Sequence, residues 1–124
     1  MVEKKDTMNI ALAAARALSD KKAEDIVIID IASKASFADY MVLASGNSER
    51  QIGTLAEDVD DRLAADGIIA KNIEGQKTSG WMLIDFGDVV VSILTKEMRA
   101  RYNIEKVWGD CEFINFEGGI PSYE

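Results

Sequence analysis

The residues that could do chemistry are few, and what is missing decides more than what is present. The 124-residue chain has no histidine and one cysteine, Cys111. The commonest general base and metal ligand is therefore absent, and serine–histidine or cysteine–histidine nucleophile pairs cannot form within one chain. A lone cysteine also excludes an internal disulfide and a cysteine metal cluster. Carboxylates are plentiful but poorly placed. Asp58 and Asp60 sit two apart in a helical pattern, so their side chains point about 200° apart and cannot easily share an ion. Asp85 and Asp88 flank a turn, where aspartate is common for its local hydrogen bonding. Asp30 and Asp39 end and begin strands, with no third ligand that geometry forces near them.

Short motifs fare no better. Asp85-Phe86-Gly87 spells the kinase magnesium motif, without a catalytic loop, a Gly-rich loop or room for a kinase. Gly75-Gln76-Lys77-Thr78 lacks the Gly directly before Lys, the earlier Gly and the strand-to-helix junction that a phosphate loop needs. Gly46-Asn47-Ser48 at a helix start is a better anion site, because free N–H groups and the dipole point there. Capping alone explains that serine. No cofactor and no metal are expected. The remaining conspicuous residues are Trp81, Tyr102 and Trp108 around Arg99 and Arg101, types enriched among interface hot spots.

These residues must be positioned by a fold, and at 124 residues one domain is expected, over 1–110. Gly80–Leu94 organises it. Two apolar runs, Trp81–Phe86 and Val89–Leu94, flank Gly87-Asp88 and read as a hairpin in the middle of a covered sheet. Upstream, Met8–Leu18 reads as a helix with Met8, Leu12 and Ala15 in one stripe and Ala11 and Leu18 beside it. Ile26–Ile31 is a strand buried on both faces, hence interior, and Asp39–Ala44 is a second strand. Ser48 with Gln51 fits a capping box for a helix whose Ile52, Leu55, Ala56, Val59 and Leu63 share one face, ending at Gly67. Ile68–Ile73 is a weaker third strand, followed by a loop over Glu74–Gly80. Thr95 can cap a short helix Lys96–Asn103, with one more turn over Ile104–Trp108. The tail Cys111–Glu124 is expected to be loose. The order α-β-β-α-β-β-β-α contains one β-α-β crossover and predicts an α/β fold, a mixed sheet flanked by helices.

Hydrophobic residues at 48% and charged ones at 29% are ordinary for a soluble globular chain. Apolar runs are far shorter than a membrane span and no secretory signal is evident, so the expected location is the cytoplasm. Net charge is −8, from 22 acidic and 14 basic residues. Such a chain is a poor ligand for bare DNA or RNA and suits a basic protein partner. Locally the sign reverses: Lys96, Arg99, Arg101 and Lys106 outnumber Glu97 and Glu105 between residues 96 and 106.

From Lys21 through Asp110 the chain resembles the ribosomal silencing factor, or Iojap, family. The matching stretches are Lys21-Lys22-Ala23-Glu24-Asp25-Ile26, Ala38-Asp39-Tyr40-Met41-Val42, Ser45-Gly46-Asn47-Ser48-Glu49-Arg50-Gln51 and Ile73-Glu74-Gly75. They continue with Gly80-Trp81, Asp85-Phe86-Gly87-Asp88-Val89-Val90-Val91, Arg101-Tyr102, Ile104-Glu105-Lys106 and Val107-Trp108-Gly109-Asp110. The resemblance implies a nucleotidyltransferase-like α/β domain without transferase activity, usually a homodimer. It implies binding to the large ribosomal subunit through ribosomal protein L-fourteen, obstruction of small-subunit joining, and lowered translation when nutrients are scarce. Trp81 and Tyr102 match family positions that contact that protein; Phe86, Arg99 and Arg101 follow by neighbourhood, with acidic groups or nearby rRNA phosphates as targets for the basic side chains. Ser92 departs from the pattern, standing where many members have histidine. The competing hypothesis is a metal-dependent nucleotidyltransferase using Gly46 and Ser48 for phosphates. It requires two carboxylates two apart on one strand, and none of the predicted strands has them.

Overall fold

Two uninterrupted apolar stretches set the middle of the sheet. Tyr40–Gly46 forms β2 and Val89–Thr95 forms β5, paired in parallel from Tyr40 opposite Val89 to Gly46 opposite Thr95. All of β2 and all but the last residue of β5 are buried, as strands covered on both faces must be. The computed structural model describes residues 4–117 and 120–123.

The other strands are β1 (Glu24–Asp30), β3 (Asn72–Gln76), β4 (Trp81–Asp85), β6 (Glu112–Glu117) and β7 (Ile120–Tyr123), in the order β3-β4-β5-β2-β1-β6-β7. Every pair except β2–β5 is antiparallel. The helices are α1 (Lys4–Asp20), α2 (Glu49–Ala65), α3 (Lys96–Tyr102) and α4 (Ile104–Val107). The expected mixed sheet flanked by helices is therefore the fold.

Local chemistry accounts for the helix ends. Ser48 Oγ accepts from Gln51 N–H at 3.1 Å, and Gln51 Oε1 accepts from Asn47 N–H at 2.5 Å. At the other end Ile68 N–H donates to Leu63 O and Gly67 N–H to Ala64 O, with Gly67 at φ +82°. That paired closure is the Schellman arrangement, which needs the left-handed backbone that glycine adopts freely. Between these ends Ile52, Leu55, Ala56, Val59 and Leu63 are buried, as their spacing predicts.

Three expectations are corrected. In α1 the buried residues are Thr7, Ala11, Ala14, Ala15, Ala17 and Leu18, while Met8 and Leu12 are only half-buried. Four alanines and Leu18 make the fully buried stripe, where small side chains let the helix lie close, and Met8 and Leu12 pack at its margin. The third strand lies at 72–76 rather than 68–73. Residues 67 and 68 close the end of α2, and ladder pairing with β4 begins at Asn72 opposite Asp85 and runs to Gln76 opposite Trp81. The first three of the seven residues of the expected loop, 74–76, thus belong to an edge strand.

The third correction is the tail. Residues 112–117 form β6, antiparallel to β1, with Val27 opposite Asn115 and Asp30 opposite Glu112. Ile114 and Phe116 are fully buried in the core beneath α1 and α2. β1 is interior, as its apolar run requires, only because the tail supplies its second neighbour. Gly118-Gly119 and Glu124 lie outside the described residues.

The two sheet faces differ. One buries Ile28, Val42, Val91, Ile93, Ile114 and others under α1 and α2. The opposite face collects Ile29, Ile31, Met41, Leu43, Val90 and Leu94 with Ile104, Met98 and Trp108. Short helices cover it incompletely.

If Phe116 is a core residue, Phe116→Ala lowers unfolding free energy by about 3 kcal/mol. A urea denaturation curve checks this. A loose tail would give a change within about 0.5 kcal/mol.

Candidate functional site

The incompletely covered face carries an aromatic pair whose placement follows from the loop before it. Lys77–Ser79 makes one 3₁₀ turn, and Gly80 follows at φ +78°. A Cβ at Gly80 would sit 2.7 Å from Met98 Cγ, so only glycine lets the chain pass this close to α3. Gly80 O accepts from Thr95 N–H at 2.9 Å, and Thr95 Oγ1 accepts from Met98 N–H at 3.3 Å, starting α3. One glycine and one threonine thus bring the start of β4 beneath α3.

The result is Trp81 against Tyr102, ring centroids 5.3 Å apart and tilted by 47°. Trp81 is half-buried and Tyr102 is 51% exposed. Among the described residues the Trp81 Nε1–H is buried and finds no acceptor. An unpaired buried donor costs about 1–3 kcal/mol, so polar contacts do not lock the indole in place. Leu83 lies two residues on, on the same face and half-exposed, opposite Glu74 of the edge strand. Glu74, Gly75, Ser79, Trp81 and Leu83 line a shallow recess of about 270 Å³.

The five residues singled out from the sequence do not form one patch. Trp81 and Tyr102 touch, and Arg101 is exposed on α3 beside Tyr102. Phe86 is buried in the core beneath α1 and α2, on the sheet face opposite Trp81. Arg99 is 8% exposed and turned inward. Its Nη1 donates to Asp25 O at 2.6 Å and to Ser45 Oγ at 3.0 Å, and its Nε donates to Glu105 Oε1 at 3.2 Å. One guanidinium therefore ties α3 to β1, β2 and α4, and holds Asp25 at φ +50°. A Lys96–Glu24 ion pair reinforces the same junction. Ser92 is fully buried, opposite Leu83 and Leu43, with its Oγ unpartnered among the described residues.

A second aromatic contact lies by α4, where Phe37 meets Trp108 edge-on at 6.4 Å. Phe37 and Val107 are 59% and 63% exposed. Nearby, Lys34 donates to Asp110 at 2.9 Å; that hydrogen bond raises the lysine above its ordinary pKa and lowers the carboxyl below its own. Sequence reasoning missed Glu74, Leu83 and Phe37. Glu74 stood in the expected loop, and its register opposite Leu83 depends on pairing.

The catalytic alternatives find little support in the geometry. The N–H groups of Asn47 and Gln51 at the start of α2 are taken by the cap. Among the described residues no cluster of three metal-ligating side chains occurs and no strand carries carboxylates two apart. Among them, too, no helix is long and apolar enough to cross a membrane.

A family model described as "Ribosomal silencing factor during starvation" matches residues 4–123. Ribosomal silencing factor RsfS of Bacillus subtilis is 39% identical over 107 residues, covering 86% of this chain and 91% of the relative. The protein of that name from Halalkalibacterium halodurans is 40% identical, covering 86% and 92%. A crystal structure of a protein from Chromobacterium violaceum superposes with a TM-score of 0.79 at 36% identity, covering 82% of this chain and 85% of its own.

The inward arginine separates two neighbours of the same type. Arg99→Ala strands Glu105 and the Asp25 carbonyl and lowers unfolding free energy by about 2–3 kcal/mol. Arg101→Ala, on the surface, changes it by less than about 0.5 kcal/mol. Paired chemical denaturation curves make the comparison.

Proposed function

This chain belongs to the ribosomal silencing factor family, and on that premise we propose that it docks on ribosomal protein L-fourteen of the large subunit. It then prevents the small subunit from joining, by occupying the surface rather than by chemistry. It represses translation in the cytoplasm when nutrients are scarce. The same membership supports a homodimer when the protein is off the ribosome.

The observation that carries this reading is the Trp81–Tyr102 pair on the sheet face that the long helices leave uncovered. A half-buried indole beside an exposed phenol ring presents a large, rigid apolar area with little side-chain entropy to lose on binding. Arg101 stands beside the pair and can meet acidic groups or rRNA phosphates at the margin. Arg99 holds α3, and with it Tyr102, from within, while Phe86 lies on the opposite sheet face and takes no direct part. The overall charge of −8 suits approach to a basic ribosomal protein.

Cosedimentation with purified large and small subunits tests the proposal. The wild-type protein is expected to travel with the large subunit and to reduce the fraction of joined ribosomes. Trp81→Ala is expected to stay folded and to lose about 2 kcal/mol or more of binding, the size of a hot-spot truncation. Unchanged affinity in a folded variant would remove Trp81 from the site, and a wild-type protein that binds neither subunit would sink the proposal.

A further inference from the structure

The recess beside Trp81 says which side chain a partner brings. Resting on the docking function above, we infer that it receives a lysine or arginine side chain of the protein partner, with its aliphatic stem against Trp81 and Leu83 and its cation at Glu74.

The lining has two parts. Trp81 and Leu83 supply the apolar walls, Gly75 and Ser79 complete them, and Glu74 is the only charged residue among those five. At about 270 Å³ the space is below the size of a ligand-binding cleft and fits one long side chain. The floor is held open by backbone geometry: Gly75 sits at φ +86°, and a Cβ there would lie 2.3 Å from Trp81 O. Any other residue would force β3 away from β4 and change the recess.

Glu74 is exposed, and its Oε1 accepts from Asn72 Nδ2 at 3.0 Å. That contact leaves acceptor capacity on a two-oxygen carboxylate. A side chain with an apolar stem and a cationic head matches such a site, because the stem buries carbon while the head stays at the wet rim. The indole adds a ring face toward which a cation is attracted. A wholly aliphatic side chain would leave the carboxylate unused, and a phosphate would be repelled by it.

The sign of that last effect makes the test decisive. Affinity of the full-length protein for purified large subunits is measured over a range of salt concentrations for wild type, Glu74→Gln, Glu74→Lys and Asp61→Asn. Asp61→Asn makes the same charge change on an exposed position of α2, behind the sheet. Thermal unfolding of each variant confirms that it is folded. The expected result is about a tenfold loss for Glu74→Gln, a larger loss for Glu74→Lys, and a flatter salt dependence for both, with Asp61→Asn unchanged. Equal binding by wild type and Glu74→Gln overturns the inference and leaves the docking function standing. Tighter binding by Glu74→Gln also overturns it and assigns the recess to an RNA phosphate. A wild-type protein that binds no large subunit overturns the docking function, and this inference falls with it.

Discussion

A short helix of seven residues has too few internal hydrogen bonds to hold its own position, so something outside it must. In this protein the Arg99 guanidinium reaches from α3 to a β1 carbonyl, a β2 hydroxyl and the α4 carboxylate Glu105. Burying a guanidinium is unfavourable unless its donors are matched, and here four hydrogen bonds engage Nε, Nη1 and Nη2. Because α3 is fixed in this way, Tyr102 in its last turn lands on Trp81. That anchor acts with the Thr95 cap and the packing of Met98 and Ile104 to fix how the pair meets.

The asymmetry of the two sheet faces explains where such a surface can exist. Helices of seventeen residues each cover one face, and their alanine-rich or leucine-spaced stripes close over it. On the other face α3 and α4 are short, and α3 meets β4 at the strand's start, where Tyr102 lies against Trp81. Leu83 and Trp81 are left half-exposed there, and the edge strand β3 is exposed throughout. Apolar area that the fold does not bury is available to a partner, and here it is bounded by Trp81 and Leu83 with one carboxylate, Glu74, at the rim.

The same economy bears on what the molecule does. Among the described residues no three metal-ligating side chains cluster, the α2 cap groups are satisfied locally, and the conspicuous residues are aromatic and cationic. Such an inventory suits recognition by surface contact. In the proposed docking, acidic net charge would act at long range and the aromatic pair and the recess at contact distance, so speed of encounter and specificity would come from different parts of the chain.

Much of this was legible in the sequence because it rests on local chemistry. The α2 cap, its buried face and its glycine terminus are written in neighbouring residues, as are the Gly87 hairpin and the uninterrupted runs of β1 and β5. Trp81 and Tyr102 stand out in the sequence by residue type and family position, and the structure brings their rings together. What the sequence left open depends on pairing between distant segments. The tail looked loose because Gly118-Gly119 and the only proline are local signals for disorder, whereas β6 exists because β1 needs a second neighbour. Glu74 faces Leu83 only once β3 is registered on β4. Arg99 and Arg101 are indistinguishable by type, and Phe86 looks like part of the same patch as Trp81. Only the tertiary structure decides that Arg99 points inward to three other elements and that Phe86 lies on the opposite side of the sheet. Side-chain direction alternates along a strand and rotates around a helix, so neighbours in sequence are separated in space once the fold chooses its faces.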